Sequence, residues 1–401
     1  MPASTAGRPA TVVSEITTAD ALARLEGEWG ALLEASAVPT IFLTWEWLST
    51  WWKRLGGARR LSVIAVRRAD ELIALAPLSV VEPEMTRLSP FPALEFLGTG
   101  SVGSDYLDLV IARGREDEAI DALADHLARR GLPLRLGQLR RSSSSAAALA
   151  ARLVSRRWLA VERPGDVCPF ITLEGRTWEA YLASLDGHHR SNFRRRLKAF
   201  ENVLEMRVER ARTPAECRGA LATLFTLHGR RWTDRGGSTA FHSAALRAFH
   251  EEWAVLALAR GWLRLYVMRM GAMPVAALYA FRHGEAFSFY QIGFDPDCAR
   301  YGPGQVLVGL AIKVAFEEGA RVFDFLHGDE RYKFDWARDA AGLTRIELYP
   351  PGWRGRIHRD LAQLNRAARR AARRWLVRPA AGDPINGRTG GGDRVQSPRH
   401  R

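Results

Sequence analysis

Apolar residues at helical spacing open the chain: Leu22, Leu25, Trp29, Leu32 and Leu33 predict a helix over about Ala19 to Ser36. The run "FLTWEWLSTWWKRLG" predicts a second, shorter helix closed by Gly56 and crowded with Trp45, Trp47, Trp51 and Trp52. Packing against a sheet is the preferred reading of those indoles; a carbohydrate platform is the alternative. Near-continuous apolar runs follow. "LSVIAVRR" and "ELIALAPLSVV", parted by Ala69 and Asp70, predict a β-hairpin. Strands "ALEFLG" and "SDYLDLVI", a helix near Glu116 to Arg130, strand "LPLRLGQL" and a helix through "SSSSAAALAARLVSRR" complete a first α/β unit.

A second unit is expected from about Gly165. Strand "CPFITLE" leads into helices "TWEAYLASL" and "HHRSNFRRRLKAFE", then strand "LEMRVERA". Two long helical stretches follow, about Pro214 to Asp234 and His242 to Arg260. Three strands come next, "WLRLYVMRM", "MPVAALYAFRH" and "EAFSFYQIGF", with glycine at the turns. Loop "DPDCARYG", helix "PGQVLVGLAIKVAFEEGA" and strand "RVFDFL" close the pattern. Antiparallel strands followed by strand, helix and strand predict an α/β fold with mixed, partly antiparallel sheets, not a doubly wound Rossmann sheet. The order occurs twice, so two repeats of one topology are expected, over 1–164 and 165–352. A basic amphipathic helix over 353–378 and a disordered Gly/Pro/Arg-rich tail over 379–401 complete the division.

Composition changes this picture little. With 47% hydrophobic and 25% charged residues, the chain is of ordinary globular type. Cys168, Cys217 and Cys298 are far apart, which gives neither a disulfide framework nor a zinc site; no metal is expected. No basic and apolar leader opens the sequence, and no apolar run approaches the roughly 18–20 residues of a membrane span. A cytoplasmic protein is therefore expected. The net charge of +14 suggests nucleic acid until it is located: Trp353 to Arg401 carries a net +10, which leaves +4 for everything before it. The excess belongs to the tail, and nucleic-acid binding does not follow from it.

Three segments can carry chemistry. Gly302, Pro303, Gly304 and Gln305 open a helix after an irregular loop, leaving N–H groups at its positive end for a pyrophosphate or carboxylate. The preceding strand puts Tyr290 and Gln291 on opposite faces. In "HHRSNFRRRLKAFE", Arg190, Arg194 and Lys198 lie four apart on one face, a stripe for phosphates or carboxylates or else a solvated surface. In "DFLHGDERYKFDWAR", Asp324 points off the core face or pairs with a buried base. Asp329, Tyr332 and Lys333 converge if one helical turn follows Gly328. A carboxylate there can deprotonate a nucleophile, and a lysine can neutralise a phosphate or an oxyanion.

The runs "GSDYLDLVI", "RSNFRRRLKAFE", "YQIGFDP", "YGPGQVL" and "FDFLHGDERYKFDWA" resemble the CelD/BcsL acyltransferase-like family of the GNAT superfamily, linked to bacterial cellulose biosynthesis. Its organisation is similar to that of Fem-type aminoacyl transferases, with two GNAT-like halves. The resemblance implies an acetyl-CoA or other acyl-CoA donor, its pyrophosphate at Gly302 to Gln305, and an amine or hydroxyl acceptor such as a saccharide or saccharide precursor. Asp329 is then the base or acceptor-orienting group, Lys333 an anion-binding group and Tyr290 the acid for the departing thiolate. Arg190, Arg194, Gln291, Asp324 and Tyr332 are the expected substrate contacts. The alternatives are an aminoacyl-tRNA donor, which the basic stripe motivates, and a non-catalytic scaffold of a polysaccharide machine. Near the tail, Ile357, Leu361, Leu364, Ala368, Ala371 and Trp375 form an apolar stripe among arginines. It predicts a last helix docked on its own domain or, alternatively, peripheral attachment to an anionic inner-membrane surface through 356–376.

Overall fold

The computed structural model describes residues 10–83, 91–141, 144–202, 205–233 and 241–376, so the tail expected at 379–401 lies outside the described residues. The first part runs β1 (Thr11–Ile16), α1 (Ala19–Arg24), α2 (Glu26–Ala35), α3 (Trp45–Leu55), β2 (Arg60–Arg68), β3 (Glu71–Val81) and β4 (Ala93–Phe96). It continues with β5 (Val110–Ile111), α4 (Glu116–Arg130), β6 (Leu134–Arg140), α5 (Ser145–Ser155) and β7 (Leu159–Thr172). Then come α6 (Trp178–Ser184), α7 (Gly187–Asn202), β8 (Met206–Arg210), α8 (Pro214–Thr233), α9 (Ala244–Ala259), β9 (Leu263–Met270) and β10 (Met273–His283). The last elements are β11 (Ala286–Phe294), α10 (Pro303–Glu317), β12 (Val322–Asp324), α11 (Arg331–Phe334), β13 (Asp339–Tyr349) and α12 (Trp353–Leu376).

All strands join one 13-stranded mixed sheet, ordered β1-β2-β3-β4-β6-β13-β7-β12-β11-β10-β9-β8, with β5 beside β3. The order reads the same from either edge. Four antiparallel strands, β1 to β4 or β8 to β11, are followed by a helix and a strand parallel to the fourth. The next strand is exchanged between the halves. β7 follows β6 in the chain but pairs with β12; β13 follows β12 but pairs with β6. β7 and β13 then pair with each other along most of their length. Gly165, where the second unit was expected to begin, therefore lies inside the 14-residue β7.

Some expectations need correction. The helix over Ala19 to Ser36 is two, broken at Leu25. "SDYLDLVI" is a strand only at Val110–Ile111, because its polar side chains are engaged elsewhere. β1 and β13 had no sequence counterpart.

Two cores cover the faces of the sheet. The larger gathers α1, α2 and α3 with α8 and α9, so it spans both halves. Trp47 stands at its centre, edge-on to Phe249 and Trp253 with centroids 4.9 Å apart. Trp47 and Trp51 are buried, so the indoles of α3 pack and form no open platform. The second core lies under α6, α7 and α10, where Phe193 and Trp336 meet edge to face and Phe287 stacks on Phe323.

Candidate active site

β11 and β12 pair over only three positions, Ala286 to Ser288 with Val322 to Asp324. Beyond these β11 continues to Phe294 while the chain after Asp324 parts from β11, which opens a fork. That chain stays bonded to β7, Phe325 N–H donating to Pro169 O and Gly328 N–H to Val167 O at 2.9 Å each. Leu326 and Gly328 make the departure, with φ of 56° and 127°. A side chain at 328 would overlap the Glu330 carboxylate and the Lys333 ammonium, so the turn requires glycine. Lys333 is buried. Its ammonium donates to the carbonyl oxygens of His327 (2.7 Å) and Leu326 (3.4 Å) and pairs with Glu330 at 2.9 Å. It holds the turn that presents His327.

The other wall comes from the first half of the chain. The loop after β4 lies against β6, with Leu107 N–H donating to Gln138 O at 3.0 Å. It carries Asp105, which is fully buried, under His327. Asp105 accepts from the His327 backbone N–H (2.8 Å), from His327 Nδ1 (2.9 and 3.0 Å) and from the Gln138 amide (2.9 Å). The neighbouring Tyr106 hydroxyl donates to Asp324 at 2.7 Å. Asp108 accepts from the N–H groups of Leu109, Ser145 and Ala146 at the start of α5. Each polar side chain of "SDYLDL" thus has a partner off the strand path, which is why no strand forms there. Tyr106, Gln138 and Leu326, all at this junction, have φ of 55°, 58° and 56°. Such left-handed backbone in residues with a Cβ costs of order 1–3 kcal/mol each and persists where surroundings dictate it.

The hydrogen bond that His327 donates to Asp105 raises the His327 pKa; partial desolvation opposes it, and the Asp105 charge adds to it. With Nδ1–H held by the carboxylate, Nε2 is the nitrogen left for a ligand. His327 lines a cavity of about 290 Å³ in the fork, with Tyr290, Gln291, Tyr332, Lys333 and His250 around it. The Tyr290 hydroxyl donates to Val102 O and lies 3.4 Å from His250 Nε2. Burial raises the Tyr290 phenol and pushes His250 down to about 3, so both are neutral groups. His250 Nδ1 has no hydrogen-bond partner among the described residues.

A second cavity, of about 450 Å³, adjoins the start of α10 and is lined by Gln305, His188, His189, Arg331 and Arg338 among others. Gly302 takes a left-handed φ of 71° before Pro303 at the first helical position. Arg196 of α7 lies against Gly302 so closely that a Cβ there would overlap it, and it donates to Gln305 Oε1. Partial burial, and then the charge of Arg195, lower the Arg196 pKa. A guanidinium at the positive end of a helix dipole is a poor arrangement by itself, and an anion would resolve it. The short helix α11 stands between the two cavities: Arg331 lines one, Tyr332 and Lys333 the other.

The expected site residues are therefore only partly brought together. Tyr290, Gln291, Tyr332 and Lys333 meet in the fork. Gln305 lines the second cavity, with Gly302, Pro303 and Gly304 beside it in the loop and first turn of α10. Asp329 is exposed and outside both linings, because α11 begins only at Arg331 and no helical turn aligns 329 with 333. Asp324 lies behind the fork, buried and bonded to Tyr106. Arg190 closes α6 by donating to the carbonyls of Ala183 and Leu185, while Arg194 is exposed on α7. The Asp105–His327 pair was missed. His327 stood in the singled-out segment and Asp105 in "GSDYLDLVI", but they are 222 positions apart, and local spacing cannot join them.

Residues 187–333 match the family described as "Acetyltransferase (GNAT) domain", less than half of the chain. No curated protein matches the sequence. Among solved structures the chain is similar to FemX, with a TM-score of 0.60 at 13% identity over 88% of this chain and 99% of that one. It is also similar to a conserved protein of unknown function from Bacteroides thetaiotaomicron, at TM-score 0.54 and 12% identity, covering 85% of this chain and 100% of that one. L-PGS from Bacillus licheniformis follows at TM-score 0.50 and 13% identity, covering 86% of this chain and 96% of that one. At these identities the likeness is one of fold. The chain thus has a mixed α/β, GNAT-like fold and carries a GNAT acetyltransferase-like domain over residues 187–333.

Proposed function

We propose that the protein is an acyltransferase that passes an acyl group from an extended thioester donor to an amine or hydroxyl held beside His327. The observation that carries this is the buried Asp105 bonded to His327 Nδ1 at the mouth of the fork. In this reading neutral His327 takes the acceptor proton at Nε2 as the new bond forms, and Asp105 steadies the imidazolium. The Ile292 N–H, held by the Gln291 side chain at 3.0 Å, becomes an oxyanion donor when that amide swings aside. Tyr290, in the same cavity, supplies a proton to the leaving sulfur and is reprotonated from the His327 imidazolium, so the thiol departs and both side chains return to their neutral state. Two cavities flanking α11 support an extended donor such as acyl-CoA, acetyl-CoA in the simplest case. The Gly304 and Gln305 amides, with Arg196 and Arg331, would hold its phosphates; the thioester would supply the activated acyl group. A saccharide acceptor, in polysaccharide or cellulose biosynthesis, is supported by the CelD/BcsL resemblance alone.

His327→Ala tests the reading. The expected result is a fall in kcat of about 10²–10⁴-fold with acyl-CoA binding kept, measured by thiol release and calorimetry. Unchanged turnover would remove His327 from the chemistry. An aminoacyl-tRNA donor is a second reading, favoured by the exposed Arg194, Arg195 and Lys198 of α7, and it requires salt-sensitive tRNA binding.

A further inference from the structure

The helix α12 is docked by the wrong face for an ordinary amphipathic helix. A helix covering its own domain buries its apolar stripe and leaves charges in water. Here the buried contacts are polar. His358 is 1% exposed and accepts from Arg135 Nη2 at 2.9 Å; burial and that guanidinium push it down to about 4, so it is the neutral acceptor this bond needs. Its ring also meets Tyr349 and Phe91 with centroids at 5.7 Å. Two turns further on, Arg366 donates to both carboxylate oxygens of the buried Glu347 at 2.8 Å. These contacts fix the roll of the helix about its axis.

What this roll leaves outside is apolar. Trp353, Ile357 and Leu364 are 64%, 41% and 62% exposed, and their spacing places them on one stripe. They are three of the eight large apolar side chains exposed among the described residues, so the exposure is concentrated on this element. The sequence continues the spacing with Ala368, Ala371 and Trp375. Over its 24 residues α12 carries eight arginines against one acid, Asp360, and Arg354 and Arg356 are exposed near the stripe. Among the described residues no helix is long and apolar enough to cross a membrane, so the geometry is that of a helix lying along a surface.

We propose that α12 lies in the interface of an anionic lipid membrane, with Trp353, Ile357 and Leu364 among the acyl chains and the exposed Arg354 and Arg356 at the headgroup phosphates. The charge selects an anionic surface and the stripe selects a lipid. Nucleic acid would satisfy the arginines and leave three large apolar side chains in water, which disfavours it as the occupant. This inference does not depend on the acyltransferase reading.

Flotation of the full-length protein with vesicles of phosphatidylcholine alone, or of phosphatidylcholine with phosphatidylglycerol, tests it. The comparison is the variant Trp353→Ser, Ile357→Ser, Leu364→Ser, whose three sites are exposed; an unchanged melting temperature checks its fold. The expected result is recovery with the phosphatidylglycerol vesicles only, reduced at least roughly tenfold in the triple variant. Equal recovery of the two proteins would reduce the contact to charge and overturn insertion. Failure of the wild type to float overturns the proposal outright. Binding of duplex RNA that the triple variant retains, without vesicle binding, would give the face to nucleic acid. A wild-type dimer that the triple variant dissolves would give it to a second copy.

Discussion

His327 owes its basicity to one residue from the other half of the chain. Because the Asp105 hydrogen bond raises its pKa above the ordinary 6.5, the rising limb of kcat/KM against pH is expected above that value. Asp105→Asn should move the limb downward and reduce turnover by about a hundredfold or more, leaving acyl-CoA affinity unchanged. A pH–rate profile of both proteins checks this; coincident limbs would separate Asp105 from the titration. The same pair acts on stability. A folded pKa raised above the unfolded one stabilises fully below the unfolded value and loses that contribution as pH rises through the folded value. At residue level the sequence singled out the segment that holds His327 but not the carboxylate that pairs with it. Asp329 was favoured because four-residue spacing aligns it with Lys333, and that rule needs a helix which starts only at Arg331.

Elements were legible where one periodicity ran unbroken: β2 with β3, β9 to β11, α4, α7 and α10 lie close to where the apolar pattern put them. β13 was not, since its first residues are exposed and its apolar positions are few until Leu343. The roll of α12 was equally hidden, because its apolar stripe reads as the docking face. The Glu347–Arg366 pair reverses that, and it carries a prediction. Arg366→Ala leaves a buried carboxylate beside the Tyr349 hydroxyl (2.8 Å) and Arg163 (4.0 Å), without its doubly bonded guanidinium, and should cost roughly 1–3 kcal/mol. Adding Glu347→Leu should recover part of the loss by removing the stranded charge. Urea denaturation at constant m-value measures both; a double variant weaker than Arg366→Ala would contradict this account.

For the whole molecule the exchange of β7 and β13 decides the behaviour. Each half lends a central strand to the other, and Trp47 of the first half packs on Phe249, Trp253, Phe281 and Tyr290 of the second. Neither half keeps its sheet or its core if the other unfolds. A single cooperative transition is therefore expected, coincident by tryptophan fluorescence and far-UV circular dichroism. Two resolved transitions would mean that the halves fold separately. The amino-acid sequence by itself determined most helices, most strands and the doubled order of elements. Those features depend on neighbours two to four positions apart, which hydrophobic spacing records directly. Only the tertiary structure decided the strand exchange, the face by which α12 docks and the meeting of Asp105 with His327. Each joins residues that are distant along the chain and is selected by burial and hydrogen-bond satisfaction, which no local pattern encodes.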